Sequence, residues 1–160
     1  MRTNETVLVA DEVWIATALL HREHPERGDF TIQEIVRRAE QENLHGRLRP
    51  GVQVHASLHC VANKAPNKGA YRMLYATGKH TRRLYQSRDD VHFERKGKIA
   101  PSRDQIPPRY HELLDWYETQ YGMNPPKTPR YEKLLALRGS GKGLWPDPDA
   151  YVRSLREGWE

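Results

Sequence analysis

Three stretches within the first 61 residues repeat apolar side chains at helical spacing, and this pattern limits the fold more than any other feature. We predict a helix in each stretch. The first ends at His24-Pro25, because proline disfavours helical backbone in the residue before it. The third follows Pro50-Gly51, which suit a turn and a helix start. The predicted buried stripes are Val9, Val13, Ala16 and Leu20; Ile32, Ile35, Val36 and Ala39; and Val54, Leu58 and Val61.

The second helix has the most clearly marked start. Thr31 and Glu34 stand at capping-box spacing, at which each side chain bonds the backbone N–H of the other residue. Phe30 and Ile35 occupy the two positions of a hydrophobic staple. We therefore predict that this helix begins directly after Thr31.

A β-hairpin is predicted after the third helix. Residues 65–69 are dense in turn formers, and residues 71–75 alternate in the manner of a strand. A second strand, residues 82–86, follows a basic loop that contains Gly78. Three helices followed by a basic hairpin is the element order of a winged helix. The predicted fold class is therefore mainly α (α+β), a winged helix followed by an amphipathic helix and an extended or helical tail.

The second half of the chain is organised differently. At 160 residues the chain has the length of one domain, or of a smaller domain with an appendage. Residues 95–108 lack apolar periodicity and include three prolines, so we predict a linker between a winged-helix domain, 1–94, and a helical partner-binding region, 109–160. An amphipathic helix over 109–121 packs on its own domain or, if exposed, forms a homodimer seam. Its apolar positions are Tyr110, Leu113, Leu114, Tyr117 and Tyr121.

Positive charge is concentrated in one segment. Residues 46–83 contain eight Lys and Arg and no acid, residues 1–45 contain nine acids and five bases, and the net charge is +5. Interspersed acids would cancel the attraction to phosphates, so this segment indicates a surface for a polyanion; the alternative is a solvated basic face. The candidate phosphate contacts are Arg47, Arg49, Lys64, Lys68, Lys79, His80, Arg82 and Arg83.

The face of the third helix opposite its predicted stripe holds small or polar side chains that can donate, accept and approach closely. Such a face suits the major groove of double-stranded DNA, with the hairpin along the phosphates. The candidate base contacts are Gln53, His55, Ala56, His59 and Asn63.

Residues 7–88 resemble bacterial winged helix-turn-helix DNA-binding domains. The resemblance is carried by the segment Leu58–Asn67, followed by Tyr71, Leu74, Gly78 and Leu84-Tyr85. It implies the winged-helix fold, double-stranded DNA as the partner, the base contacts named above, and phosphate contacts at Lys64, Lys79, Arg82 and Arg83. Because winged helices also bind proteins, the fold alone does not separate the two kinds of partner.

The last thirty residues contain large aromatic anchors and flanking cations that suit a partner's pockets; a tail folded onto its own domain is the alternative. The segments Leu137–Trp145 and Asp149–Glu160 resemble the toxin-binding tail of bacterial antitoxins that pair with PIN-domain ribonucleases. The resemblance implies a tail that wraps a toxin and places an arginine near its metal-binding carboxylates. The candidate partner contacts are Arg138, Lys142, Trp145, Tyr151, Arg153, Leu155, Arg156 and Trp159.

Signals for catalysis are few, and we expect no enzyme activity, no cofactor and no metal. A single cysteine, Cys60, excludes a disulfide framework within the chain and a four-Cys zinc site. His55 and His59 stand four residues apart without a third ligand. Two alternatives to a DNA-binding regulator stay open: a winged-helix module for protein or RNA, and a small nuclease using Asp89, Asp90 and Glu94. Without an apolar run of the ~18 residues that a membrane span needs, we expect no membrane contact and a cytoplasmic location.

Overall fold

A computed structural model describes residues 7–66 and 69–122 of the chain. In chain order its elements are α1 (Val9–Glu23), β1 (Phe30–Thr31), α2 (Ile32–Glu42), α3 (Gly51–Val54), β2 (Leu74–Ala76), β3 (Thr81–Leu84) and α4 (His111–Trp116). Single π-helical turns extend α3 over His55–His59 and α4 over Tyr117–Tyr121, and 3-10 turns cover Arg103–Gln105 and Pro108–Tyr110. Within the described residues, four helices and a three-stranded antiparallel sheet make a mainly α structure, which confirms the predicted α+β class.

Helix α1 lies at the centre of the core. It ends at Glu23, as the His24-Pro25 pair predicts. Every residue from Ala10 to Ala18 is buried, so the predicted single stripe was too narrow. The reason is that α1 contacts α2 and α3 and also α4, and the α4 contacts cover a part of its surface that the stripe left open.

The predicted capping box of α2 is confirmed. The Thr31 hydroxyl accepts from the Glu34 backbone N–H at 3.1 Å, and a Glu34 carboxylate oxygen accepts from the Thr31 N–H at 2.7 Å. Both residues of the predicted staple, Phe30 and Ile35, are fully buried in the core. The helix ends at Glu42, and the next residue, Asn43, adopts the left-handed conformation (φ 53°) that asparagine tolerates well.

The sheet has the strand order β1-β3-β2 and is antiparallel throughout. Strands β2 and β3 form the predicted hairpin, although β2 begins only at Leu74. Strand β1 is two residues long, too short to show an alternating pattern, and it was not predicted. It pairs Phe30 with Arg82 and so joins the start of α2 to the hairpin.

The predicted buried stripe of the third helix is confirmed at Val61, which is fully buried, but was wrong at Val54; Leu58 is half-buried. Val52, Ala56 and Cys60 are fully buried, whereas 47% of Val54 is exposed. Both sets follow helical spacing, and packing of α3 against α1 and α2 selects the set that faces inward.

We expected a linker over residues 95–108 and instead find these residues packed on the rest of the described fold. The Gly97 N–H donates to the Ala70 carbonyl at 2.8 Å. A Cβ at Gly97 would lie 2.4 Å from that carbonyl oxygen, so the approach requires glycine. Arg95 and Ile106 are buried.

Helix α4 packs on α1. Of the two alternatives for the 109–121 segment, this is the one in which the segment packs on its own domain. Tyr110, Leu113, Leu114 and Tyr117 are buried in the common core. The Tyr117 ring meets the fully buried Trp14 ring edge to face, with centroids 5.5 Å apart. A homodimer seam through these side chains would require them to leave the core. No helix within residues 7–66 and 69–122 is long and apolar enough to cross a membrane.

Candidate nucleic-acid interface

The outer side of α3 carries four side chains without charge. Pro50, Gln53 and Val54 are exposed and Ser57 is half-buried. The Ser57 hydroxyl donates to the Gln53 carbonyl at 2.7 Å, which places both residues on one side of the helix. We call Pro50, Gln53, Val54 and Ser57 the α3 face. It lies opposite the buried residues Val52, Ala56 and Cys60.

Of the candidate base contacts, Gln53 lies on the α3 face and Ala56 does not. Ala56 is fully buried, so its prediction as a base contact was wrong, for the same reason as the stripe. His55 and His59 are half-buried, with ring centroids 4.9 Å apart. His55 Nδ1 lies 2.8 Å from the Gly51 carbonyl, and His59 Nδ1 accepts from the Gly69 N–H at 3.4 Å.

Asn63, the last candidate base contact, forms hydrogen bonds to the hairpin. Its side-chain N–H donates to the Ala76 carbonyl at 3.0 Å, and its side-chain oxygen accepts from the Ala76 N–H at 2.9 Å. These two bonds occupy one donor and one acceptor of the amide and hold β2 to the segment that follows the π-helical turn. A structural role therefore replaces the predicted base contact.

Two arginines predicted on phosphates are paired with acids. Arg49 lies 2.7 Å from Glu12, whose side chain is buried in α1. Arg83 donates to Asp89 at 2.6 Å and stacks over the Tyr75 ring at 4.5 Å. Their charges are largely neutralised within the fold, which the sequence could not show because Glu12 and Arg49 are far apart in the chain. The Asp89 carboxylate, one of the acids in the nuclease alternative, is engaged by the same contact.

Arg82 is only 1% exposed and joins the end of α3 to the turn between β2 and β3. Its guanidinium donates to the carbonyls of Ala56 (3.2 Å), Ser57 (3.2 Å), Gly78 (3.0 Å), Lys79 (3.5 Å) and Thr81 (2.7 Å). Burial lowers the pKa of this group from its usual value. The predicted phosphate contact is therefore a buried support that fixes two elements to each other.

Arg95, which sequence analysis placed in a linker, supports the next residues in the same way. It is 3% exposed and donates to the carbonyls of Leu58, His59, Lys64, Ala65 and Tyr71. Arg82 and Arg95 together satisfy four consecutive carbonyls, 56–59, at the C-terminal end of the helix, where cations also suit the helix dipole. No local pattern marked Arg95, because its acceptors lie at least 24 residues away.

Four candidate phosphate contacts stay accessible. Arg47, Lys79 and His80 are exposed, and Lys64 is half-buried with its ammonium 3.4 Å from the Ser57 carbonyl. Burial lowers the pKa of Lys64. Lys79 and His80 lie on the turn whose carbonyls Arg82 holds, and the Lys64 ammonium lies next to Ser57 of the α3 face. Lys68 lies outside the described residues, as do Arg138, Lys142, Trp145, Tyr151, Arg153, Leu155, Arg156 and Trp159.

Among residues 7–66 and 69–122, no group of three His, Cys, Asp or Glu side chains is arranged to hold a metal ion. Cys60 is fully buried, and burial raises the pKa of its thiol. Comparison with protein-family models, curated proteins and solved structures found no match for the chain.

Proposed function

We propose that residues 7–88 form a winged-helix domain that binds double-stranded DNA. The element order α1-β1-α2-α3-β2-β3 supports this fold, with the turn between β2 and β3 as the wing. The observation that carries the proposal is the buried Arg82 guanidinium, which bonds the end of α3 and the wing turn together. Two elements that contact one rigid DNA duplex must keep a fixed position relative to each other.

The charge distribution fits a duplex. The major groove is about 12 Å wide and admits a helix whose outer face reaches the base edges. The α3 face is neutral, and the Lys64 ammonium lies 3.4 Å from the carbonyl of Ser57 on that face. Lys79 is exposed on the wing turn and Arg47 is exposed shortly before α3 in the chain, so both are accessible to phosphates. The segment 46–83 contributes no carboxylate that would oppose binding.

On this proposal the chain is a sequence-selective transcription regulator of antitoxin type, with a tail that binds a PIN-domain toxin. The support for the tail is the resemblance of residues 131–160 alone. DNA binding and toxin binding are therefore separate parts of the proposal, and each has its own test.

The test of DNA binding compares two variants of the full chain on a random duplex. Replacing both Arg47 and Lys79 by glutamine removes two phosphate contacts, so affinity for all sequences falls and the slope of log affinity against log salt flattens by about 1.8. The matched control is Arg109→Gln, which removes an exposed cation beside α4. Equal behaviour of the two variants would contradict the proposal, and stronger binding to duplex RNA or to a protein would favour the alternative module.

A further inference from the structure

The α3 face exposes an apolar side chain to solvent. Val54 is 47% exposed, and within the described residues only Leu8 (46%) and Phe93 (82%) are comparable large apolar side chains. Burying apolar surface is favourable, so Val54 gains from an apolar contact in a complex. The neighbours of Val54 on the face, Gln53 and Ser57, are polar and neutral.

The composition of the face discriminates between base pairs. Guanine is most often read by the paired donors of arginine or lysine, and neither residue is on the α3 face. Glutamine can donate to N7 and accept from N6 of adenine with one side-chain amide, and apolar side chains contact the 5-methyl group of thymine. Gln53 and Val54 supply these two chemistries at consecutive positions.

Contacts at the end of the face fix its orientation. The Ser57 carbonyl accepts from Arg82 at 3.2 Å and lies 3.4 Å from the Lys64 ammonium. Rotation of the helix about its axis would break these bonds and also the buried bond from Arg82 to the Ala56 carbonyl. Gln53 and Val54 keep their outward position, which direct readout of bases needs.

We propose that the α3 face reads adjacent A·T base pairs in the major groove, with Val54 on a thymine methyl group and Gln53 on an adenine edge. This inference rests on the proposed function and adds the kind of sequence that the domain prefers. Val54, which the sequence pattern placed in the core, becomes a residue that determines specificity.

The experiment measures the Kd of the full chain for three short duplexes: alternating A·T, the same duplex with every thymine replaced by deoxyuridine, and alternating G·C. Deoxyuridine lacks only the 5-methyl group, so it tests the Val54 contact while the phosphates stay the same. We expect the A·T duplex to bind most tightly and the deoxyuridine duplex roughly fourfold more weakly, the effect of one buried methyl group.

Two variants and a control complete the test. Val54→Ala should bind the thymine and deoxyuridine duplexes equally, whereas Gln53→Ala should weaken binding to A·T and keep the difference between thymine and deoxyuridine. Leu8→Ala, an equally exposed apolar residue outside α3, should behave as wild type. Salt-dependent binding of wild type without a thymine preference, or a preference that survives in Val54→Ala, would overturn the inference alone. A wild-type chain that binds no duplex would overturn the proposed function.

Discussion

The buried guanidinium of Arg82 donates to the backbone carbonyl of Ala56 at 3.2 Å, and this bond ties strand β3 to the C-terminal end of α3. The same group also holds the carbonyl of Gly78 in the wing turn at 3.0 Å. If the domain binds DNA as proposed, Arg82 acts on that binding through the positions of other residues.

Arg82→Gln should lower the stability of the domain and weaken DNA binding without changing its salt slope. The shorter neutral side chain leaves buried carbonyls without donors, at a cost of about 3 kcal/mol in the free energy of unfolding. Chemical denaturation and binding at several salt concentrations check this. A salt slope flatter by about 0.9 would instead indicate a phosphate contact.

Lys79→Gln is the matched comparison for Arg82→Gln. The Lys79 side chain is exposed on the wing turn, so its removal should leave the melting temperature unchanged and flatten the salt slope by about 0.9. An unchanged slope would show that the wing turn does not lie on phosphates.

Asn63→Ala should act on stability and leave base selectivity intact. Loss of the two bonds to Ala76 leaves a backbone N–H and a carbonyl without their partner, and we expect a loss of about 2 kcal/mol in the free energy of unfolding. Thermal melting and the ratio of affinities for selected and random DNA separate the two roles. A reduced ratio at an unchanged melting temperature would restore Asn63 as a base contact.

The buried His21 should make stability depend on pH. Its Nε2 accepts from the Leu84 N–H at 3.2 Å, and its ring meets Phe30 edge to face. Burial, with a smaller effect from the charge of Arg83, lowers the pKa of His21 from 6.5 to about 4. The unfolded chain therefore takes up a proton before the folded chain does. Stability is fully present above pH 6.5 and falls as the pH decreases towards 4, by about 3 kcal/mol.

His21→Gln isolates this effect, because glutamine can still accept from Leu84 but does not titrate. The raised pKa of Asp11 acts in the opposite direction, and Glu34, with a pKa lowered to about 2, acts below pH 4.5. Both groups are present in both proteins, so the difference in the free energy of unfolding between wild type and variant reports His21. A difference that stays constant between pH 7 and pH 4 would contradict the assignment.

Much of the fold could be predicted where the signal is local. The end of α1, the capping box of α2 and the hairpin depend on residues close together in the chain, and all three are confirmed. The sequence could not show which side of α3 is buried, because Val54 and Val52 each begin a set of residues with helical spacing. Only the packing of α3 against α1 and α2 selects between them.

The candidate site was harder to predict because a cation's role depends on its distant neighbours. Arg49 and Arg83 were counted as free charges, but Glu12 and Asp89 neutralise them. Arg82 belongs to the same basic segment as Lys79, yet its neighbour in the sheet, Phe30, is a core residue. Sequence alone gives the charge of a segment and not the direction of each side chain.

Removing residues 129–160 tests the partner-binding tail. If the tail only binds a partner, the truncated chain keeps the DNA affinity and melting temperature of the full chain and no longer co-purifies with the product of the neighbouring gene. Trp145→Ala and Trp159→Ala in the full chain should each cost ~2 kcal/mol of that association if they are central anchors. A melting temperature lower by many degrees would instead show that the tail is part of the fold.

The salt dependence of duplex binding tests the central claim most directly. With Arg47, Lys64 and Lys79 on phosphates, the log of the affinity of the full chain for a random duplex should fall with a slope of about −2.7 against log salt. Between 50 and 200 mM salt that is a loss of roughly 40-fold. A flat response, or no binding at the lowest salt, would contradict the account of this surface as a DNA interface.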